Sequence, residues 1–449
     1  MTKRPFGAVA VDMGASSARF AAGWIEGGAI RYEVVEQMVH EPARGHWQID
    51  FLIGLCRRAV RCAEERFEKA TVGIDTWGVD HGFIDGDGHL VQDPVAYRHE
   101  SHVKKFDEMV RHRKRLFELT GIHHQPFNTI YQLAARREEH ADWPEAFRWQ
   151  LLPDLFGFLL TRRMNYEYTQ SSTTQLMGLD GLWCAEAFEI VGWPVPLQQP
   201  RKPGRIIGPV SYTVDLASVA SHDTASAVCG LGDLQDDEVF LNVGTWTILG
   251  TVLDEPLPSQ AAEDAGWTNE RTHDGRVRFL KNIPGYYIIN RLHSELKVEM
   301  PVPDWLATAD YSFDGTFDYF NKDLFNPESM TAAVLELSSR TPTKSGHWAA
   351  MALNSLIAAT AYQPAALGEL VGRQFSRVRI VGGGSRSDRL CQGIADGTGL
   401  SVVAGPAEAT VLGNLGMQFV ASGEIPADEL SSVIDASAET RTYEPGVPV

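Results

Sequence analysis

A chain of 449 residues, 44% hydrophobic and 22% charged, has the composition of an ordinary globular protein and the length of two or three domains. Its formal net charge of -18 argues against nucleic acid and anionic membrane as partners, while leaving room for a nucleotide whose phosphates meet a local cation. No apolar run approaches the roughly 18 residues of a membrane span, and five cysteines without C-x-x-C spacing read as reduced, cytosolic thiols.

The opening stretch MTKRPFGAVAVDMG reads as a first strand rather than a signal peptide, because its short apolar run meets Asp12. Residues 8–24, AVAVDMGASSARFAAGW, then form a strand, a turn with Gly14, Ser16 and Ser17, and a second strand. Next, DFLIGLCRRAVRCAEERF sets Leu52, Leu55, Ala59, Cys62, Ala63 and Phe67 on one helical face. The β-branched run ATVGIDTWGVD ends in Asp75, Trp77 and Asp80, at the carboxyl end of a strand, where open α/β sheets bind ligands. PVAYR and PFNTIYQL add Arg98, Asn128, Tyr131 and Gln132, donors and acceptors that suit a polyol. MNYEYTQSSTTQL is either more of that polar lining or a polar loop.

Residues 219–228, VASHDTASAV, set an imidazole and a carboxylate in a small apolar run. Asp223 reads as the N-cap of a helix that begins with Thr224. The acidic, turn-like GDLQDDE follows, and it divides the chain into domains 1–232 and 237–449. Residues 239–253, VFLNVGTWTILGTVL, then echo the first hairpin, with Asn242 for Asp12, Gly244 for Gly14 and Thr245 for the serines. Repetition on this scale predicts two similar α/β domains. A long helix over 345–371 should break at Pro364. RVRIVGGG is a strand running into a glycine loop, with a helix from about Ser387, and LSVVAGPAEATVLGNLG adds one more strand and helix.

Glycine turns with neighbouring hydroxyls can cradle phosphates, although plain hairpins need glycine as well. RIVGGGSRSDRL is neither a P-loop nor a dinucleotide fingerprint. His99, His102, His123 and His124 show no metal-ligand spacing and read as solvated or capping residues.

AVDMGASSAR, IDTWGVD, PVAYR, PFNTIYQL, MNYEYTQSSTTQL, VASHDTASAV, GTW, LKNI, VGGG and AGPAEATVLGN occur in an order that resembles the FGGY carbohydrate kinases over nearly the whole chain. The resemblance implies two ribonuclease-H-like, actin-like ATPase domains with the active site in the cleft between them. Sugar binding and the catalytic Asp belong to the first domain and ATP binding to the second. The implied reaction is MgATP-dependent transfer of the γ-phosphoryl group to the 1-hydroxyl of L-rhamnulose, in a cytoplasmic monomer or homodimer. By the same resemblance Asp223 is the proton acceptor, His222 and Thr224 line the sugar site, and Gly78 and Asn282 map to sugar contacts. Trp77 and Arg98 join that lining. Ala15, Ser16, Ser17, Ala18, Arg19 and Thr245 map to the ATP phosphates, and Gly383 and Gly384 to the nucleotide. Asp12 corresponds to the carboxylate that holds Mg²⁺. Three positions depart from the pattern. Ala18 replaces a glycine, Asn242 and Val243 replace small hydroxyl residues, and Asn290 stands where a Gln contacts nucleotide.

In physical terms, a kinase holds the acceptor hydroxyl in line and neutralises charge on the transferring group. A carboxylate beside the hydroxyl orients it and takes its proton, and a helix N-terminus at Thr224 favours the ionised form. L-fuculose or another deoxyketose or pentulose is the rival acceptor. A filament-forming or chaperone ATPase of the actin type is the rival class.

Overall fold

The computed structural model describes residues 3–446; Met1 and Thr2 of the opening stretch lie outside the described residues, as do 447–449. Contacts divide the chain into two compact units. The first comprises Met1–Asp233, Val252–Phe279 and Ala409–Ser437; the second comprises Leu234–Thr251, Leu280–Glu408 and Ala438–Val449. The switch after Asp233 falls in the acidic turn, and the first unit also takes in two later segments.

In the first unit β1 (Arg4–Met13), β2 (Ser17–Glu26) and β3 (Ala29–Val39) form an antiparallel meander. Helix α1 (Ile49–Arg66) then leads into β4 (Phe67–Thr76), which runs parallel to β1. The expected helical face is buried at Leu52, Leu55, Ala59, Cys62 and Ala63, but Phe67 is not part of it. Its backbone turns extended (φ -127°, ψ 151°) and starts β4, the strand whose β-branched residues begin at Thr71. A short pair, β5 (His81–Ile84) and β6 (Arg148–Leu151), stands apart from the main sheet. β7 (Arg205–Pro209) and β8 (Val214–Ser218) complete the order β3-β2-β1-β4-β8-β7. Residues 7–13 of β1 are buried without a break, with none of the polar alternation of a one-faced sheet, as expected of a strand covered on both faces.

The second sheet comprises β9 (Glu238–Val243), β10 (Trp246–Leu253), β11 (Thr268–Arg271), β12 (Val277–Pro284), β13 (Arg377–Val381), β14 (Ser401–Ala404) and β15 (Arg441–Tyr443). Its order is β11-β12-β10-β9-β13-β14-β15. β9 pairs antiparallel with β10 and parallel with β13, as β1 does with β2 and β4. The echo between the two hairpins is therefore an echo of topology. The 345–371 stretch is two helices, Ser345–Ala361 and Gln363–Val371, with Pro364 in the first turn of the second, where its missing N–H costs nothing. Among the described residues no helix is long and apolar enough to cross a membrane. All five cysteines are free.

Candidate active site

Parallel pairing brings Asp12 level with Asp75 at the carboxyl ends of β1 and β4, and Thr76 pairs with His222. Three carboxylates, those of Asp12, Asp75 and Asp223, thus share one end of the first sheet. Burial and then the neighbouring Asp12 and Asp223 charges push the Asp75 carboxyl well above the usual range, despite a 2.5 Å hydrogen bond from Asn414 Nδ2. Asp75 Oδ1 is buried without a partner. Crowded oxygen donors with an unsatisfied buried oxygen are the chemistry of a hard divalent cation. Asp12 and Asp75 would hold it. Asp12 Oδ2 also accepts from Arg19 Nε (3.0 Å) and Nη2 (2.7 Å), so Arg19 braces that carboxylate.

The helix at the site is Asp223–Cys229, with His222, not Asp223, at the N-cap position (φ -81°, ψ 123°). Asp223 is the first helical residue, and its Oδ1 accepts from Thr224 N (2.5 Å) and Thr224 Oγ1 (3.0 Å). The expected cap is thus displaced by one residue, because the chain enters the helix from the bridge between Thr76 and His222. The Asp223 side chain is 28% exposed. Burial raises its pKa; His222 lowers it, the Asp12 charge raises it further, and the Thr224 hydrogen bonds lower it, leaving a net rise. The helix N-terminus therefore does not prevail, and the carboxylate is more basic than an exposed one. Its helix is seated by close backbone approach. A Cβ on Gly230 would overlap the Ala409 carbonyl, and one on Gly413 the Ser226 carbonyl.

His222 Nε2 lies 3.5 Å from Asp223 Oδ1. A Cβ on Gly78 would lie 3.3 Å from the same Nε2, so Gly78 faces the imidazole. Beside it, Val79 holds a left-handed conformation (φ 70°) that a β-branched residue adopts only under constraint. The constraint is visible: Val79 N donates to Thr173 Oγ1, and the Val79 carbonyl accepts from Thr129 Oγ1 and Gln132 Nε2. Residues 164–176 are accordingly no exposed loop. Glu167 accepts from Thr169, Gln170 and Ser221, Gln170 Nε2 donates to the Trp77 carbonyl, and Thr169 Oγ1 accepts from His222 N. Sequence reading noted this hydroxyl- and amide-rich segment without its role as the buried frame of the site.

Trp77 is 5% exposed, packed on Trp47 and donating to Asp80 Oδ2 (2.9 Å). Asp80 also accepts from Trp47 Nε1, Gln132 Nε2 and Tyr97 N, and burial pushes its pKa up to about 7. Asn128 is buried and spends its Nδ2 on the His123 carbonyl and Gln175, so it belongs to the core rather than to a sugar lining. Arg98 is half-buried, its guanidinium 5.3 Å from the Tyr97 ring. His99 caps a helix as expected, by accepting from Ser101 N. His102 and His124 are buried instead of solvated, and burial lowers their pKa to about 3 and about 4. Burial favours the neutral form of both rings. Among the described residues one His/Asp group could hold a metal by proximity, Asp85, Asp87 and His89, on an exposed turn.

At the first hairpin the turn comprises Gly14, Ala15 and Ser16, with Gly14 N donating to the Ser17 carbonyl. Ser17 and Ala18 already belong to β2, where Ala18 pairs with Met13, so alanine in place of glycine costs that turn nothing. In the second unit Thr245 follows Gly244 in the matching turn, and the Gly244 and Thr245 carbonyls accept from Tyr286 N and Tyr287 N. A Cβ on Gly14 would come no closer than 3.4 Å to anything, and one on Gly244 no closer than 3.6 Å. Glycine there leaves the backbone uncovered by its neighbours. Gly382 has φ 78°, and its Cβ would meet Asn242 and Val243. Gly383 is exposed with nothing within 4 Å, whereas Gly384 packs against Val243, a contact of the core. Asn282 is half-buried on β12 and Asn290 is exposed on the helix Tyr286–Glu295.

The fold of these α/β units is shared with known sugar kinases. Xylulose kinase from Lactobacillus acidophilus superimposes with a TM-score of 0.79 at 14% identity, covering 98% of this chain and 94% of that one. Plasmodium falciparum glycerol kinase with ADP gives 0.78 at 12% identity, covering 100% and 96%. Residues 239–422 match the C-terminal domain of the FGGY family of carbohydrate kinases. Two rhamnulokinases of Klebsiella pneumoniae are 33% and 32% identical, over 97% of this chain and 94% of each of theirs. The chain belongs to the FGGY family of carbohydrate kinases. It is a carbohydrate kinase of actin-like, ribonuclease-H-like fold, from a family that uses ATP, generally with a divalent metal. The filament and chaperone readings fall with that membership.

Proposed function

We propose that the protein phosphorylates the 1-hydroxyl of L-rhamnulose, using ATP with Mg²⁺ and giving L-rhamnulose 1-phosphate. One observation carries the proposal. The Asp223–His222–Gly78 cluster stands beside Asp12 and Asp75 in a chain 33% identical to a rhamnulokinase over 97% of its length. Asp223 orients the attacking hydroxyl and accepts its proton as the bond to phosphorus forms. Its raised pKa suits that task. His222 and Thr224, with Gly78, Trp77, Arg98 and Asn282, recognise the sugar. By the family resemblance the phosphate-binding positions are Ala15, Ser16, Ser17, Ala18 and Arg19 in the first unit and Thr245 in the second. Gly383 is open to the nucleotide, with Gly384 shaping the loop beneath it and Asn290 standing nearby in sequence to β12. Asp12 and Asp75 would hold the divalent cation, which would supply neutralisation of phosphate charge. Five free cysteines favour a reducing, cytoplasmic setting, and the reading takes the enzyme as a monomer or homodimer.

Steady-state kinetics with L-rhamnulose, L-fuculose, L-ribulose and L-xylulose and MgATP test the acceptor. The highest kcat/KM is expected with L-rhamnulose. A clear preference for another ketose replaces the acceptor and leaves the kinase assignment standing.

A further inference from the structure

Behind His222 lies a buried ion pair. Arg278 on β12 is fully buried, and its Nη2 donates to His222 Nδ1 at 3.1 Å. Glu270 on β11 brings its Oε2 to 3.0 Å from the same Nη2 and to 3.2 Å from His222 Nδ1. Arg278 is anchored a second time, through Nε to the Arg271 carbonyl at 2.8 Å. Arg271 N in turn donates to Ser172 Oγ, in the segment that frames the site.

A guanidinium only donates and stays charged. Both members of the pair meet Nδ1, so the opposite nitrogen, Nε2, is the one turned toward the site. Nε2 is the atom 3.5 Å from Asp223 Oδ1 and opposite Gly78. Glu270 supplies the counter-charge without which a fully buried guanidinium would be strongly unfavourable.

We propose that Arg278 and Glu270 are positioning residues for the phosphoryl transfer: they hold the His222 ring by Nδ1, with Nε2 aimed at Asp223 and the acceptor sugar. The proposal rests on the reading of Asp223 as proton acceptor. Neither residue touches the sugar; both act through His222.

The test is a double-mutant cycle with L-rhamnulose and MgATP. Arg278→Gln is expected to lower kcat/KM for the sugar about tenfold, within the usual coupling range for residues in contact. KM for ATP should stay within about twofold, which a general loss of structure would not spare. In a His222→Asn background the Arg278→Gln effect should shrink to under about twofold, and Arg278→Lys should recover part of the loss. Unchanged kcat/KM in folded Arg278→Gln overturns the proposal, as does a full tenfold loss that persists in the His222→Asn background. If Arg278→Gln does not fold, the uncharged pair Glu270→Gln with Arg278→Met takes its place. A tenfold loss there supports the proposal and wild-type kinetics overturn it. Asp223→Asn separates the two ideas. Turnover retained in that variant removes the underlying reading, whereas an inactive Asp223→Asn beside an unaffected Arg278→Gln removes only the positioning role.

Discussion

The two units present their chemistry in different materials. In the first, the carboxylates of Asp12, Asp75 and Asp223 and the imidazole of His222 are held by a lattice of buried hydroxyls, amides and one buried ion pair. In the second, the turns at Thr245 and Gly383 offer backbone, and their side chains are few and small. On the proposed reading, the difference is that an acceptor group and its proton need a charge at a fixed point, whereas phosphates and a nucleotide can be met by bare main chain. Side-chain substitutions should therefore damage chemistry in the first unit, and added Cβ atoms should matter most in the second.

The largest expected effect tests the first half of that contrast. Asp223→Asn keeps size and hydrogen bonding but cannot accept a proton. Its kcat should fall by about a hundredfold to ten-thousandfold, while calorimetry shows the sugar still bound. Near-normal turnover would break the comparison at its strongest point.

The second half is sharpened by two glycines. A Cβ on Gly285 would lie 2.5 Å from Thr247 Oγ1 and 2.6 Å from Thr247 N, so Gly285→Ala should cost about 1–3 kcal/mol and lower Tm by several degrees. Gly383→Ala meets nothing within 4 Å and should leave Tm nearly unchanged, yet raise KM for ATP if nucleotide lies against that backbone. An equal Tm loss in both variants would count against the distinction between packing and ligand-facing glycine.

A further effect, comparable in size, is one of pH. Burial is the leading cause that lowers the His102 pKa to about 3 in the fold, against about 6.5 in the unfolded chain. Between those values the unfolded chain binds the extra proton, so this contribution to stability is present above pH 6.5 and lost as pH falls. At pH 5 the loss is about 2 kcal/mol. Asp80, raised to about 7, works in the opposite direction, because its folded form takes up a proton first on acidification. Comparing His102→Gln with wild type by urea unfolding at pH 7 and pH 5 isolates the histidine. The wild type should lose about 2 kcal/mol more than the variant; equal losses would show that His102 does not titrate in this way.

Much of this was legible in order. The hairpins at Gly14 and Gly244, the strand ending in Asp75 and the helix after His222 follow from local patterns of apolar and turn residues. Phe67 was misplaced because helical periodicity runs straight into a strand without a glycine or proline to mark the change. Asn128, His102 and His124 were read as solvated or ligand-facing because polarity alone does not reveal burial, and each has buried partners distant in sequence or brought close by a turn. Arg278 left one faint signal, a charge inside the apolar run VRFL. Nothing local says that Glu270 neutralises it.

The sequence by itself determined two α/β halves with matching turns, and a family-like order of motifs that singled out Asp223. Tertiary structure alone decided what holds Asp223 in place. The helix Ala409–Ser422 returns from late in the chain to pack in the first unit, where Gly413 and Gly230 permit backbone contact and Asn414 reaches Asp75. Arg278 and Glu270 arrive from two later strands to meet His222. The reason is physical. Periodicity records which face of an element leaves water, whereas the partner that covers it is selected by shape and charge complementarity between segments far apart in the chain.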